Sequence, residues 1–249
     1  MKVIACYSNK GGVGKTATAV NLAYACAADG KQTLLCDLDP QGASSFYFKI
    51  KPSKKLAVGQ FFGDQARFVK AIRESEFVNL DVLPANMTFR DFDVFLSQLK
   101  NSESRLKKTL KSVKGDYDVV VLDCPPNLSV LSESIFKASD AILVPVVPSP
   151  LSARTFAQLV DFFKQQELDA SKLLPFFSMV QNIKGLHTVT MTRLLTDYPQ
   201  QFFKSKIPFN ADIEKMGLYL EPVIHRSATG SAALSYQALY DELKAHLNA

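Results

Sequence analysis

The sequence predicts an α/β fold: a mostly parallel, twisted sheet covered by helices on both faces, formed as a single domain over residues 1–249. Three observations carry this expectation. Short β-branched runs alternate with helical patterns along the chain. Several of the runs are apolar throughout, as in strands buried on both sides, instead of alternating with polar residues. No internal repeat, low-complexity segment or linker-like tract divides the 249 residues, and a chain of that length buries a sizeable core without disulfides or structural metals.

In chain order, residues 2–8 read as a strand running into a glycine-rich loop. Residues 15–28 read as an Ala-rich helix with Gly30 as its C-cap. Further strands are expected at 32–37, 79–83, 119–123, 141–147 and 174–180, with a helix at 153–166. Residues 43–115 read as a mostly helical insertion broken by the strand at 79–83. Within it Phe89, Phe92, Phe95, Leu96 and Leu99 recur at helical spacing and predict one buried face. Leu106, Leu110 and Val113 do the same over 105–114, where Arg105, Lys107, Lys108, Lys111 and Lys114 read as a solvated face.

Composition narrows the class. Hydrophobic residues make up 47% and charged residues 21%, the balance of a globular domain and not of a disordered or fibrous chain. Cys6, Cys26, Cys36 and Cys124 lack CxxC spacing, so they read as small core hydrophobes in a reducing cytosol, not as zinc or redox ligands. The apolar stretch near the start is too short for the core of an export signal. No run approaches the roughly 20 apolar residues of a membrane span. A cytoplasmic location with no membrane partner is expected. The net charge of +5 is uneven: residues 49–115 hold 14 Lys/Arg against 7 Asp/Glu, whereas 151–249 hold 10 against 9. That balance permits contact with nucleic acid or another acidic surface without requiring it. His187 and His225 read as surface or capping residues.

The most informative stretch follows the first strand: Ser8-Asn9-Lys10-Gly11-Gly12-Val13-Gly14-Lys15-Thr16-Ala17, then a helix. Glycines let the backbone curl so that successive N–H groups face a phosphate, and the helix start adds its positive end. Lys15 is placed to reach β- and γ-phosphates and the Thr16 hydroxyl to hold Mg²⁺. Asn9 stands where the strict GxxxxGK[ST] pattern has glycine, so the match is deviant. Gly12-x-Gly14-x-x-Ala17 also fits the dinucleotide pattern GxGxx[GA], with Asp37 placed as a ribose-binding acid. Two features favour the phosphate loop. A dinucleotide loop has no use for Lys15-Thr16, and it predicts no later strand such as 118–123, which delivers the carboxylate of Asp123 as a Mg²⁺-organising acid. Asp37 and Asp39, in Asp37-Leu38-Asp39-Pro40-Gln41-Gly42, reach the carboxyl edge of the sheet, where such folds bind ligands.

Together KGGVGKT at 10–16, DLDPQG at 37–42 and DCPP at 123–126 resemble the ParA/MinD family of deviant-Walker ATPases, over nearly the whole chain. The resemblance implies a P-loop NTPase using ATP and Mg²⁺. It implies that Gly11, Gly12, Val13, Gly14, Lys15, Thr16 and Ala17 cradle the phosphates, that Asp39 orients the attacking water, and that Asp37 and Asp123 support the metal with Thr16. Lys10 is then the signature lysine, which reaches the phosphates of the opposite subunit in a homodimer clasped around ATP. Asn182, Pro208 and Asn210 match positions that frame the adenine. Ala17 departs from the family's usual Thr or Ser, which helps hold the α-phosphate.

By the same resemblance a ParA-type member binds DNA non-specifically in its ATP state, is nucleoid-associated, and answers to a ParB-like or other cargo adaptor that stimulates hydrolysis. Lys164, Lys184, Arg193, Lys204 and Lys206 are the candidate DNA contacts. Asp212 and Glu214 stand where many relatives place arginines. The last residues, 235–249, lack the polybasic amphipathic face of a membrane-binding terminus. The alternative reading is a small-molecule ligase of the same superfamily, similar to dethiobiotin synthetase. Lys10 and the Asp39-Pro40-Gln41 box argue against it.

Overall fold

The structure is a computed structural model and describes residues 1–52 and 56–248. The elements follow in the order β1 (Lys2–Cys6), α1 (Lys15–Ala28), β2 (Thr33–Asp37), α2 (Ala43–Tyr47), α3 (Val58–Gly63), α4 (Gln65–Ala71), β3 (Arg73–Glu74) and β4 (Leu80–Leu83). Next come α5 (Phe92–Ser97), α6 (Arg105–Leu110), β5 (Val119–Asp123), α7 (Val130–Ala138), β6 (Ala141–Val146), α8 (Pro150–Gln165), β7 (Leu173–Val180) and α9 (Gly185–Asp197). The chain ends with β8 (Lys206–Pro208), α10 (Ala211–Glu214), α11 (Met216–Tyr219), α12 (Val223–Arg226) and α13 (Ser231–Asn248).

The strands form one eight-stranded sheet in the order β3-β4-β2-β5-β1-β6-β7-β8. Every pairing is parallel except that of β3 with β4. The central strands are buried from end to end: β2 reads TLLCD and β6 AILVPV without an exposed position. Uninterrupted apolar runs of this kind need cover on both faces. Two hydrophobic clusters supply it, one gathering α3 to α9 and the other α1, α12 and α13. The four cysteines are free and buried among these clusters, as small core hydrophobes should be.

Between residues 43 and 115 the chain forms short helices and two strands; residues 53–55 of the expected insertion lie outside the described residues. Phe61 anchors an aromatic cluster here, with ring centroids 5.2 Å from Phe68, 5.3 Å from Phe89 and 5.1 Å from Phe92. Phe89, Phe92 and Leu96 are buried as their spacing predicts, but Phe95 and Leu99 are only half-buried. The reason is local: a 3₁₀ turn over Met87–Asp91 precedes α5, which stops at Ser97, so no continuous helix carries the apolar stripe to Leu99. The sequence also gave no warning of β3 and β8. They span two and three residues, too short for a period-2 pattern to register.

Sheet order puts the site where it is. β1 lies between β5 and β6, while its successor β2 lies beyond β5. The chain therefore leaves β1 in one direction and returns on the other side, opening a crevice at the carboxyl ends of these strands.

Candidate functional site

The loop between β1 and α1 wraps tightly because Gly12 and Gly14 adopt φ +69° and +96°, conformations that glycine reaches without strain. A Cβ at Gly14 would lie 3.0 Å from Ser178 Oγ of β7. There the strand register shifts between Phe177 and Val180 and Met179 takes φ 54°, so β7 is moulded against the loop. Gly14 is the N-cap of α1 and supplies no side-chain hydrogen bond. The first N–H groups of α1 are thus left to an anion, whereas the start of α8 is closed by the Ser149 side chain.

The two loop lysines take different positions. Lys15 is buried, and its Nζ donates to the Lys10 carbonyl at 3.1 Å. Burial lowers the pKa of its ammonium, opposed by the nearby charge of Asp123. Lys10 instead sends its Nζ to Ser152 Oγ near the start of α8, 2.9 Å away.

Asp37 and Asp123 end adjacent strands and pair in register across β2 and β5. Both are fully buried. Asp37 accepts from Ser45 N at 2.8 Å and Ser45 Oγ at 2.5 Å, and Asp123 Oδ1 accepts from the Thr16 hydroxyl at 3.3 Å. Burial pushes both carboxyl pKa values up. The proximity of Asp37 raises Asp123 further, while the hydroxyl donors of Ser45 and Thr16 pull the other way. The remaining oxygens, Asp37 Oδ1 and Asp123 Oδ2, are buried with no hydrogen-bond partner. Such orphaned anionic oxygens are costly unless a cation or water meets them.

These are hard oxygen donors, two carboxylates and a hydroxyl, beside a phosphate cradle. Mg²⁺ is usually held in this way, by one or two carboxylates together with phosphate oxygens and waters. Among the described residues no group of three or more His, Cys, Asp and Glu forms an all-protein metal cage. Asp39 is half-buried and accepts from Gln41 N at 2.9 Å. It lies close enough to Asp37, Asp123 and Lys15 to bias their charges.

The other expected positions fare differently. Asn182 is exposed in the loop after β7, Pro208 closes β8, and Asn210 caps α10 by accepting from Asp212 N at 2.7 Å while donating to Ser231 Oγ at 3.1 Å. The five candidate DNA residues sit on different elements. Lys184 caps α9 at the strand-end edge, and Arg193 pairs with Asp197 at 3.3 Å. Lys164 lies at the far end of α8, and Lys204 and Lys206 flank the start of β8.

Sequence reasoning missed Ser45 and Ser152, which hold Asp37 and Lys10, and gave His187 no specific task. The His187 ring is buried, and its Nδ1 accepts from Gln181 N at 3.2 Å, fixing the loop that carries Asn182. Ser45 follows the 37–42 box closely enough to have been suspected. Ser152, 142 residues from Lys10, carried no signal.

A glycine phosphate loop opening a helix, a buried lysine inside it and two carboxylates at the ends of adjacent parallel strands, one of them met by a hydroxyl from that helix, define a P-loop ATPase that uses ATP and Mg²⁺. Comparison with known proteins gives the family. A model described as an AAA domain matches residues 1–174. The sporulation initiation inhibitor protein Soj of Bacillus subtilis is 30% identical over 98% of this chain and 99% of its own. The chromosome partitioning protein ParA of Caulobacter vibrioides is 28% identical over 98% and 94%. A Mycobacterium smegmatis protein described as cobyrinic acid a,c-diamide synthase, solved with ADP and magnesium, superposes with TM-score 0.81 at 25% identity, covering 100% of this chain and 96% of that one. The chain belongs to the ParA/MinD family of P-loop ATPases. Among its described residues no helix is long and apolar enough to cross a membrane.

Proposed function

We propose that this ATPase pairs with a second copy of itself around ATP, binds DNA non-specifically while paired, positions a cargo through an adaptor protein, and releases both after hydrolysis. The observation that carries this reading is the separate placement of the two loop lysines. Lys15 occupies its own phosphate cradle, whereas Lys10 is held outside it on Ser152, leaving Lys10 available to the phosphates of a facing copy. Partition relatives such as the Caulobacter ParA support the cargo-positioning part. The whole chain, 1–249, acts as one unit in this reading, cytoplasmic and nucleoid-associated.

In the proposed mechanism Gly11 to Ala17 cradle the phosphates through backbone N–H groups, and Lys15 neutralises charge on the β- and γ-phosphates. Thr16, Asp37 and Asp123 are the residues that would hold Mg²⁺, which would offset the negative charge of the phosphate oxygens. Asp39 orients the attacking water, and Lys10 of the facing copy adds positive charge only once two chains meet. Phosphoryl transfer is accelerated mainly by such positioning and charge stabilisation. Asn182, Pro208 and Asn210 frame the adenine.

The test is sedimentation and a salt-titrated DNA shift with ADP, with ATP and with Asp39→Ala. Pairing and DNA retention are expected only with ATP and should persist longest in the variant. DNA binding indifferent to nucleotide would defeat the switch. The name of the Mycobacterium smegmatis neighbour keeps a ligase reading in play. ATP turnover that required an added carboxylate metabolite would favour it.

A further inference from the structure

We infer that Ser44 is a further positioning residue of the Mg²⁺ site: its buried hydroxyl, set beside Asp37 and Asp123, bonds to the water shell of the ion and ties the turn that carries Asp39 to metal occupancy. The inference rests on reading Thr16, Asp37 and Asp123 as the residues that hold Mg²⁺. It adds a side chain that neither the phosphate loop nor the strand ends supply.

Unsatisfied polar atoms are concentrated at this place. Among the described residues four buried side-chain polar atoms lack a hydrogen-bond partner, and three of them are Asp37 Oδ1, Asp123 Oδ2 and Ser44 Oγ. Ser44 is 0% exposed, so bulk water does not reach its hydroxyl. The hydroxyl is close enough to both carboxyl groups to favour their charged forms, yet it is aligned for a regular hydrogen bond with neither. Leaving such a group unbonded in the interior is costly.

Counting donors shows why the chain alone does not complete the arrangement. Ser44 brings one proton, whereas Asp37 Oδ1 and Asp123 Oδ2 each need a donor or a cation. If the hydroxyl turns to one carboxylate, the other oxygen stays orphaned. A Mg²⁺ ion held by one or two carboxylates keeps several of its waters, and these supply the missing donors. The Ser44 oxygen can then accept from one water while its proton goes to a carboxylate.

The neighbouring serine gives the contrast. Ser45 Oγ donates to Asp37 Oδ2 at 2.5 Å and accepts from Ala85 N at 3.0 Å, so its bonding is complete without any ligand. Adjacent residues of α2 thus carry one hydroxyl that finishes the fold and one that the fold leaves unfinished. α2 also begins where the 37–42 box ends: Gly42, its N-cap at φ 67°, donates its N–H to the Asp39 carbonyl at 2.9 Å. A bond formed at Ser44 therefore bears on the turn that holds Asp39.

The test measures ADP affinity with Mg²⁺ and with EDTA, the Mg²⁺ concentration that half-maximally tightens ADP binding, and the melting temperature without nucleotide or metal. It compares the wild type with Ser44→Ala, Ser45→Ala and Thr16→Ala. Ser44→Ala is expected to leave the EDTA affinity unchanged and to reduce the tightening by Mg²⁺ about tenfold, as loss of a partner behind a metal's ligands does. The half-maximal Mg²⁺ concentration should rise by a similar factor, because the coupling between metal and nucleotide is reciprocal. Its melting temperature should be equal to or above that of the wild type, since truncating an unbonded buried hydroxyl removes a desolvation cost, whereas Ser45→Ala should melt lower. Intact tightening by Mg²⁺ in Ser44→Ala overturns the inference whatever the melting temperature. Affinity that falls equally with Mg²⁺ and with EDTA would assign Ser44 to the phosphates and overturns it too. In both cases reduced tightening in Thr16→Ala leaves the Mg²⁺ assignment standing; if Thr16→Ala also tightens fully, that assignment fails as well.

Discussion

The ammonium of Lys10 donates to the hydroxyl of Ser152 at 2.9 Å, tying the phosphate loop to the first turn of α8 within one chain. Ser152 is itself buried and meets the capping Ser149 hydroxyl at 3.1 Å. The bond must break before Lys10 reaches a facing copy. A hydrogen bond to a charged group contributes about 1.5–3 kcal/mol at most, and less where water competes. Ser152→Ala is therefore expected to tighten ATP-dependent pairing severalfold, and Lys10→Ala to abolish it. Analytical ultracentrifugation with a non-hydrolysable analogue measures both. Weaker pairing in Ser152→Ala would mean that the contact serves the paired state instead.

Gly14→Ala should damage both fold and site. At φ +96° an alanine is strained, and its Cβ would press on Ser178 Oγ at 3.0 Å. Together these cost about 1–3 kcal/mol. A lower melting temperature and nucleotide affinity reduced by about one order of magnitude are expected. Adding Ser178→Gly should recover only the steric part, because the backbone strain remains. Calorimetric titration of ADP on the single and double variants separates the two.

Ala17→Thr is expected to raise nucleotide affinity. The position is half-buried at the first turn of α1, and a hydroxyl there would add a donor to the phosphate cradle. Such a charge-assisted bond contributes about 1.5–3 kcal/mol, less roughly 0.5 kcal/mol for a β-branched residue in the helix. A gain of several-fold to tenfold in fluorescent-nucleotide titration would agree with this balance. No change would show that no phosphate oxygen faces residue 17.

The loop after β7 should loosen in acid. Burial lowers the His187 pKa, helped by the charge of Lys184, and its Nδ1 must stay unprotonated to accept from Gln181 N. A depressed histidine contributes stability above its ordinary pKa of about 6.5 and loses it as pH falls through the folded value. Melting temperature is thus expected to decline from pH 7 toward pH 5 more steeply in wild type than in His187→Asn. That variant should also be destabilised at pH 7 by about 1 kcal/mol, the size of a lost hydrogen bond. Parallel pH profiles in both proteins would speak against His187 as the sensitive group.

What the sequence determined by itself was whatever chemistry is contiguous. The strand at 119–123 and the helix at 15–28 appear at their expected bounds, and the phosphate loop was legible because its glycines, lysine and threonine act through their own backbone and nearest neighbours. The tertiary structure alone decided relationships between distant segments. Asp37 faces Asp123 only because β2 and β5 are neighbours in the sheet. Lys10 meets Ser152 only because β6 lies beside β1 and delivers α8 to the same edge. Periodicity and spacing report on neighbours within a few residues, whereas sheet order and the burial of whole faces determine which remote side chains meet.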